Sequence, residues 1–161
     1  MWLTLFDTIS SAMKLYNKRL GREYSPLEKY EAGIVLLGAE VKAVKQGRIR
    51  IDGAYVKLIG NEVHLVGAEI AIYQYARPDR YDPQRTRKLL LHKKEVLRLA
   101  TKLAGGGNLT IVPASCYNKG GLIKVEIALA RGKKTWEVKR VEKERDERRR
   151  VEGEIKERIK N

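Results

Sequence analysis

The sequence predicts a mainly β protein: a small antiparallel oligonucleotide-binding-like β-barrel with two or three helices and a basic C-terminal tail. Three observations predict it. Short apolar runs alternate with polar residues at the two-residue period of strands. The turn sequences Gly60-Asn61 and Asn118-Lys119-Gly120-Gly121 are short enough to join antiparallel neighbours. Six or seven strands this short would leave many edge groups unpaired, and a sheet that curls shut removes its edges.

Each element has its own justification. Residues 1–13 form an apolar leader interrupted by Asp7, with no basic residue before it, the reverse of a secretory signal. Residues 14–29 are polar and basic, and Gly21 and Pro26 break any long helix there. Residues 30–37 read as a strand that ends at Gly38, and residues 39–45 as a short helix with Val41 and Val44 on its inner face. Gly47 is placed to end that helix. Residues 54–59 and 62–66 make the first hairpin, and residues 70–75 a further short strand. Residues 77–87, with Pro78, Pro83 and four arginines, read as a basic loop. Order resumes at residues 88–91. Over residues 93–103 the period is helical, with Val96, Leu99, Ala100 and Leu103 on one face. Gly105-Gly106-Gly107 ends that helix, and residues 109–117 and 122–130 form a long hairpin. The body thus covers residues 14–132, and the tail residues 133–161.

The charge points to anionic partners. Lys and Arg number 34 against 20 Asp and Glu, a net of +14. The tail holds 12 basic and eight acidic residues, so most of the excess lies in the body. Catalytic signals are weak. One cysteine and two histidines exclude a disulfide and a Cys-rich zinc site, and no metal or cofactor is expected. His92 stands near Glu95, but no nucleophile accompanies them, and a histidine in the first turn of a basic helix accounts for the pair. The triple glycine follows a helix, whereas a phosphate-binding loop precedes one. Cys116 reads as structural, and His64 as a half-exposed strand residue.

Binding signals are stronger. Arg85, Arg87, Lys88, Lys93 and Lys94 lie close together, with Tyr73, Tyr75 and Tyr81 nearby. Basic groups neutralise phosphates, and tyrosine rings stack on bases. Arg85, Arg87 and Lys88 are the expected phosphate contacts, and Tyr24 or Tyr81 the expected ring. In the tail, Arg148, Arg149 and Arg150 make a positive patch, and Val151, Ile155 and Ile159 repeat every four residues. That stripe is too thin to hold a free helix, so the tail is expected to be disordered alone and helical when bound.

One resemblance covers residues 17–140. Asp82-Pro83-Gln84-Arg85-Thr86-Arg87-Lys88-Leu89-Leu90-Leu91-His92-Lys93-Lys94-Glu95 resembles the D-P-x-R-T-R-K-L-L-L-H-x-x-E signature of the SsrA-binding protein family, also called small protein B. Tyr30 to Leu36, with Gly38-Ala39-Glu40-Val41-Lys42, is similar to the family's E-A-G-I-x-L-x-G-x-E-V-K segment. Asn17-Lys18-Arg19 resembles its N-K-[KR] start, and Ala128 to Lys134 the junction before its tail. The resemblance implies a barrel that binds the transfer-RNA-like domain of transfer-messenger RNA. It places Asn17, Lys18, Arg19, Glu31, Leu91 and the loop around residues 85–88 in or near the RNA-binding region. It implies a tail that enters the empty messenger channel of a stalled ribosome, beside small-subunit RNA, and folds there as a helix. Lys133, Lys134, Trp136, Lys139, Arg140 and the three consecutive arginines would serve it. The chain departs from the family pattern at Thr135-Trp136-Glu137-Val138-Lys139-Arg140, and in its apolar leader.

The expected function is therefore non-catalytic RNA binding in trans-translation, by a cytoplasmic monomer with no stable membrane association. The alternative is a general structured-RNA or ribosome-associated module. For Glu31, which cannot attract phosphate, a contact to base or sugar, the holding of an arginine, and an internal ion pair all remain open.

Overall fold

The computed structural model describes residues 13–76 and 80–160. The leader up to residue 12, and Arg77, Pro78 and Asp79 of the expected loop, lie outside the described residues. In chain order the elements are β1 (Lys14–Tyr16), α1 (Leu20–Glu23), β2 (Tyr24–Ile34), α2 (Gly38–Lys45), β3 (Ile49–Arg50), β4 (Tyr55–Ile59) and β5 (Glu62–Val66). There follow β6 (Glu69–Ile70), β7 (Arg87–Leu90), α3 (Lys93–Ala104), β8 (Leu109–Lys119), β9 (Leu122–Gly132) and α4 (Thr135–Lys160).

The pairing closes on itself. Strands follow the order β1-β8-β4-β5-β7-β2-β9, and β9 pairs back onto β8. All these pairs are antiparallel, so six strands complete a circuit and β1 shares one edge of β8 with β4. The small β3–β6 pair stands apart. Long β2, β8 and β9 supply most of the ladder, while β4 meets β8 at a single register pair, Val56↔Ile111. The hairpin of β8 and β9 turns on Gly120 (φ 58°) and Gly121 (φ 82°). Two successive positive φ angles match the right-handed twist of the flanking strands and favour glycine at both positions. Asn118 and Lys119 therefore extend β8, and the turn is tighter than the four residues expected.

Prolines mark the irregularities. Register shifts occur between Pro26 and Glu28 on β2 and between Pro113 and Ser115 on β8. A residue without an N–H is tolerated where the ladder is already broken. This explains why residues 24–29, to which the sequence assigns no strand, are strand: they pair with β9 from Gly132 to Ala128, and the bulge accommodates Pro26. The expected strand over residues 70–75 shrinks to Glu69–Ile70, because a turn follows in which the Ala76 N–H donates to the Tyr73 carbonyl at 2.9 Å. With the single turn of α1 and the tail, the helices number four among the described residues.

Alternation along β9 puts Ile123, Val125, Ile127 and Leu129 in the core, all at most 7% exposed, with Leu65, Ile70, Leu99 and Ile111. Ala128 and Ala130, on the opposite face, are also fully buried. Leu99 of α3 joins the core cluster, and α1 and α3 both lie against β8. Cys116 lies in this core with its thiol pushed up to about 12 by burial, which keeps it protonated and inert.

A charged pair is buried beside the apolar interior. Glu40 of α2 and Arg87 at the start of β7 both have fully buried side chains. The Arg87 guanidinium donates to Glu40 Oε1 at 2.9 and 3.0 Å, and to the carbonyls of Ala68, Arg85 and Pro83. Arg85 donates to both Glu40 oxygens, through Nε to Oε1 at 2.8 Å and through Nη2 to Oε2. Glu40 Oε2 also accepts the Leu37 N–H at 2.8 Å, which caps α2. Burial pushes the Glu40 carboxyl up, but Arg85, the Leu37 N–H and Arg87 together outweigh it and hold the carboxyl at about 2.

Two outcomes are expected from this cluster. Glu40→Gln strands a fully buried guanidinium and should cost about 3–5 kcal/mol, read as a lower urea midpoint at neutral pH. The folded carboxyl titrates below its ordinary 4.5, so its stabilisation is complete above about pH 4.5 and lost as pH falls toward 2. The gap between wild type and Glu40→Gln should narrow over that window and stay constant from pH 5 to 7.

Candidate nucleic-acid interface

Between β1 and α1 the chain makes a turn that Asn17 pins to the barrel. Its backbone N–H donates to the Ala114 carbonyl at 2.9 Å, and its Nδ2 to the Pro113 carbonyl at 2.8 Å, beside the β8 bulge. Its Oδ1 accepts the Arg19 N–H at 2.9 Å. Asn17 is 8% exposed, so it shapes the turn and the two following residues carry the surface charge. The Lys18 N–H donates to Asp52 Oδ1 at 2.8 Å, and Lys18 and Arg19 are exposed.

These cations face a groove of about 640 Å³. Lys18, Arg19, Arg22, Arg50 and Arg145 line it with Asp52 and Glu69, and Gln84 brings in the signature loop. Five positive and two negative groups make the lining cationic. Sequence reasoning did not single out Arg22, Arg50, Gln84 or Arg145. Arg50 sits on a two-residue strand, and Arg145 among the many charges of the tail, so nothing in their spacing marks them.

The signature loop is organised from inside. Tyr81 is half-buried; its hydroxyl donates to Glu40 Oε1 at 3.2 Å or the Ile70 carbonyl at 3.0 Å. Arg85 keeps 31% of its side chain exposed while holding Glu40. Two guanidiniums on one carboxylate leave a net positive charge, and Arg85 is the member solvent can reach. Arg87 corrects the sequence reading: with no exposed side-chain surface, it cannot meet a phosphate and instead fixes the loop. Lys88 points to solvent and pairs with Glu62, whose second oxygen lies 3.5 Å from His64 Nε2. Leu91 packs half-buried against the core.

Glu31 lies elsewhere, on the outer surface of β2. It accepts from the Tyr117 hydroxyl, and Lys119 Nζ lies 3.2 Å away. Hydrogen bonding by Tyr117, then by Lys119, holds the carboxyl below its ordinary range. Burial, then Glu31, raises Tyr117 to about 12. The ion pair, one of the readings left open, is formed with Lys119. Lys14 Nζ sits 5.1 Å from the Tyr16 ring and 5.4 Å from that of Tyr117, so this face mixes cations and rings. Tyr24 opens β2 opposite Gly132, half-exposed, where the body passes into the tail.

The root of the tail is fastened to α1. The Lys133 N–H donates to the Glu23 carbonyl at 2.8 Å, its Nζ to the Gly21 carbonyl at 2.7 Å, and Arg22 lies 3.6 Å from Glu142. The departing segment, Thr135 to Arg140, is the first part of α4, and Glu137 accepts the Lys134 N–H at 2.9 Å. Trp136 is 59% exposed; Lys134, Lys139, Arg140, Arg148, Arg149 and Arg150 are exposed along the helix. Elsewhere, Glu95 accepts the His92 backbone N–H at 3.0 Å, so this carboxylate caps α3.

A closed antiparallel barrel with a cationic groove and a basic helix belongs to the nucleic-acid-binding class of small β proteins. The chain belongs to the SmpB protein family, whose model matches residues 14–157. It is 46% identical over 144 residues to the SsrA-binding protein of Sulfurihydrogenibium sp., covering 89% of this chain and 94% of that protein. It is 42% identical to the SsrA-binding protein of Persephonella marina, with the same coverage. A solved chain described as "tmRNA-SmpB: a journey to the center of the bacterial ribosome" is 42% identical, with a TM-score of 0.64, and the match covers 77% of this chain and 87% of that one.

Replacing Glu31 by Gln should lower the Tyr117 phenol from about 12 toward its ordinary 10. Carbon-13 NMR titration of ring-labelled tyrosine checks this. An unmoved Tyr117 would show that burial alone sets its titration.

Proposed function

We propose that this chain binds the transfer-RNA-like domain of transfer-messenger RNA and carries it into stalled ribosomes for trans-translation. The observation that carries this reading is that the family match runs from residue 14 to 157, through groove, signature loop and tail helix alike. The solved relative is described with transfer-messenger RNA and the ribosome, and the chain's +14 charge suits both partners.

In this reading the body grips and the tail reaches. The exposed cations Lys18, Arg19, Arg85 and Lys88 neutralise phosphates, and Asn17, Glu40 and Arg87 hold them in place. Glu31 and Tyr117 offer acceptor and ring to a base or sugar once Lys119 swings to a phosphate. The protein acts by positioning and forms no covalent intermediate. Among the described residues no helix is long and apolar enough to cross a membrane, and the reading places the chain in the cytoplasm with the ribosome.

The tail is a helix in the structure, but little within the chain holds its far half in that form. Within α4, Arg140–Glu144 and Arg150–Glu154 are i,i+4 ion pairs at 3.6 and 3.9 Å. Each contributes only ~0.2–0.5 kcal/mol in an isolated helix. Val151, Ile155 and Ile159 are each at least 48% exposed, so no body surface helps to hold the far half. Contacts to ribosomal RNA must offset the cost of ordering it.

Deletion of residues 135–161, which keeps the Lys133 anchor, should leave a folded body that still binds the isolated transfer-RNA-like domain. Peptidyl transfer to the alanyl-charged RNA on stalled ribosomes should fall more than about tenfold, a barrier increase above ~1.4 kcal/mol. Full tagging without the tail would defeat this division of labour.

A further inference from the structure

The groove is built from two parts of the chain that serve different ends in the proposed function. Lys18, Arg19 and Arg22 come from the N-terminal turn and α1, and Arg50 from β3. Arg145 comes from α4, three residues beyond Glu142, whose pairing with Arg22 helps tie the tail to α1. Among the described residues neither the Lys18 ammonium nor the Arg145 guanidinium has an ion-pair partner. Arg50 is 71% exposed and shares a long 3.4 Å contact with Glu69. Arg22 is held by Glu23 and Glu142, so it braces the tail. The acids in the lining are already engaged: Asp52 accepts the Lys18 N–H, and Glu69 faces Arg50. Unpaired or loosely paired cations that body and tail both bring to one groove fit a linear polyanion.

We infer that this groove holds an RNA phosphodiester backbone, gripped by Lys18 and Arg50 of the body and by Arg145 of the tail helix. The inference rests on the RNA-binding reading above and deepens it. One strand lying there would neutralise both sets of cations at once, and so fix the direction in which α4 leaves the body. The backbone has two sources of the same chemistry, the transfer-RNA-like domain and small-subunit ribosomal RNA. A protein partner would need apolar anchors that this lining does not offer.

The test compares full-length Arg50→Ala, Arg145→Ala and Arg158→Ala proteins with wild type. Arg158→Ala removes the same charge from the far end of α4, outside the groove. Affinity is measured against salt, once for the isolated transfer-RNA-like domain and once for vacant small ribosomal subunits. All three side chains are exposed, and circular dichroism checks the fold. On the RNA that occupies the groove, Arg50→Ala and Arg145→Ala should each weaken binding about two- to fivefold. Each should also flatten the slope of log affinity against log salt by about 0.7–0.9. Arg158→Ala should match wild type on the isolated transfer-RNA-like domain; on the small subunit it sets the loss that any tail arginine causes, which the groove variants should exceed. Loss in the first arm assigns the transfer-RNA-like domain, and loss in the second alone assigns ribosomal RNA. If both groove variants behave like Arg158→Ala in both arms while wild type binds, the groove inference falls and the functional reading stands. If wild type binds neither, the functional reading itself falls.

Discussion

The Glu40 carboxylate, buried between Arg85 and Arg87, is the interaction on which the rest of the structure depends. The barrel is closed unevenly. β2 and β7 share only two register pairs, Gly33↔Leu90 and Ile34↔Leu89, extended by the Val35 N–H to the Lys88 carbonyl at 3.0 Å. So few backbone bonds make a weak seam. Glu40 follows β2 in the chain and Arg87 begins β7, so their ion pair ties the two sides of that seam together just beyond its end. The same guanidinium takes carbonyls from Ala68 and Pro83, which draws the β6 region and the signature loop into one unit. A buried charge is costly unless every hydrogen bond is satisfied, and here the partners are close to saturated. What the cluster supplies is shape: it presents Arg85 at the surface in one orientation.

Body and tail are stabilised by different physics. The body buries a continuous apolar cluster inside a hydrogen-bonded circuit, and its surface charges can be spent on a ligand. The tail is one helix of 26 residues whose side chains are mostly solvated and whose hold on the body is confined to its root. The segment Thr135 to Arg140 falls at that root. Glu137 caps the helix there, and Trp136 stays open.

Much of this was legible in the residues. Period-two alternation located β4, β5, β8 and β9, and helical periodicity located α3, because in each the buried face is apolar and regular. β1 and the first half of β2 were not legible. Their strand state comes from pairing with β8 and β9 far along the chain, and a proline at a bulge disguises it. The basic run at residues 85–88 reads as one patch in sequence, yet alternation sends Arg87 inward to Glu40 and Lys88 outward to Glu62. Glu40 carried no chemical signal of its own, since a carboxylate on a short helix is ordinary until its partners are known. The groove was hidden for the same reason: its cations are scattered from Lys18 to Arg145 and meet only in the fold.

Once ordered, the tail helix, held at its root, is a lever. A helix of 26 residues extends about 39 Å at ~1.5 Å per residue. A swing of about 10° at the Gly21 and Glu23 carbonyls, where Lys133 is fastened, therefore carries the far end about 7 Å, more than one helical turn. Aim thus depends on small angles at the base. The short contacts there, Lys133 to α1 and Glu142 to Arg22, set the heading of a tip whose described apolar residues are exposed.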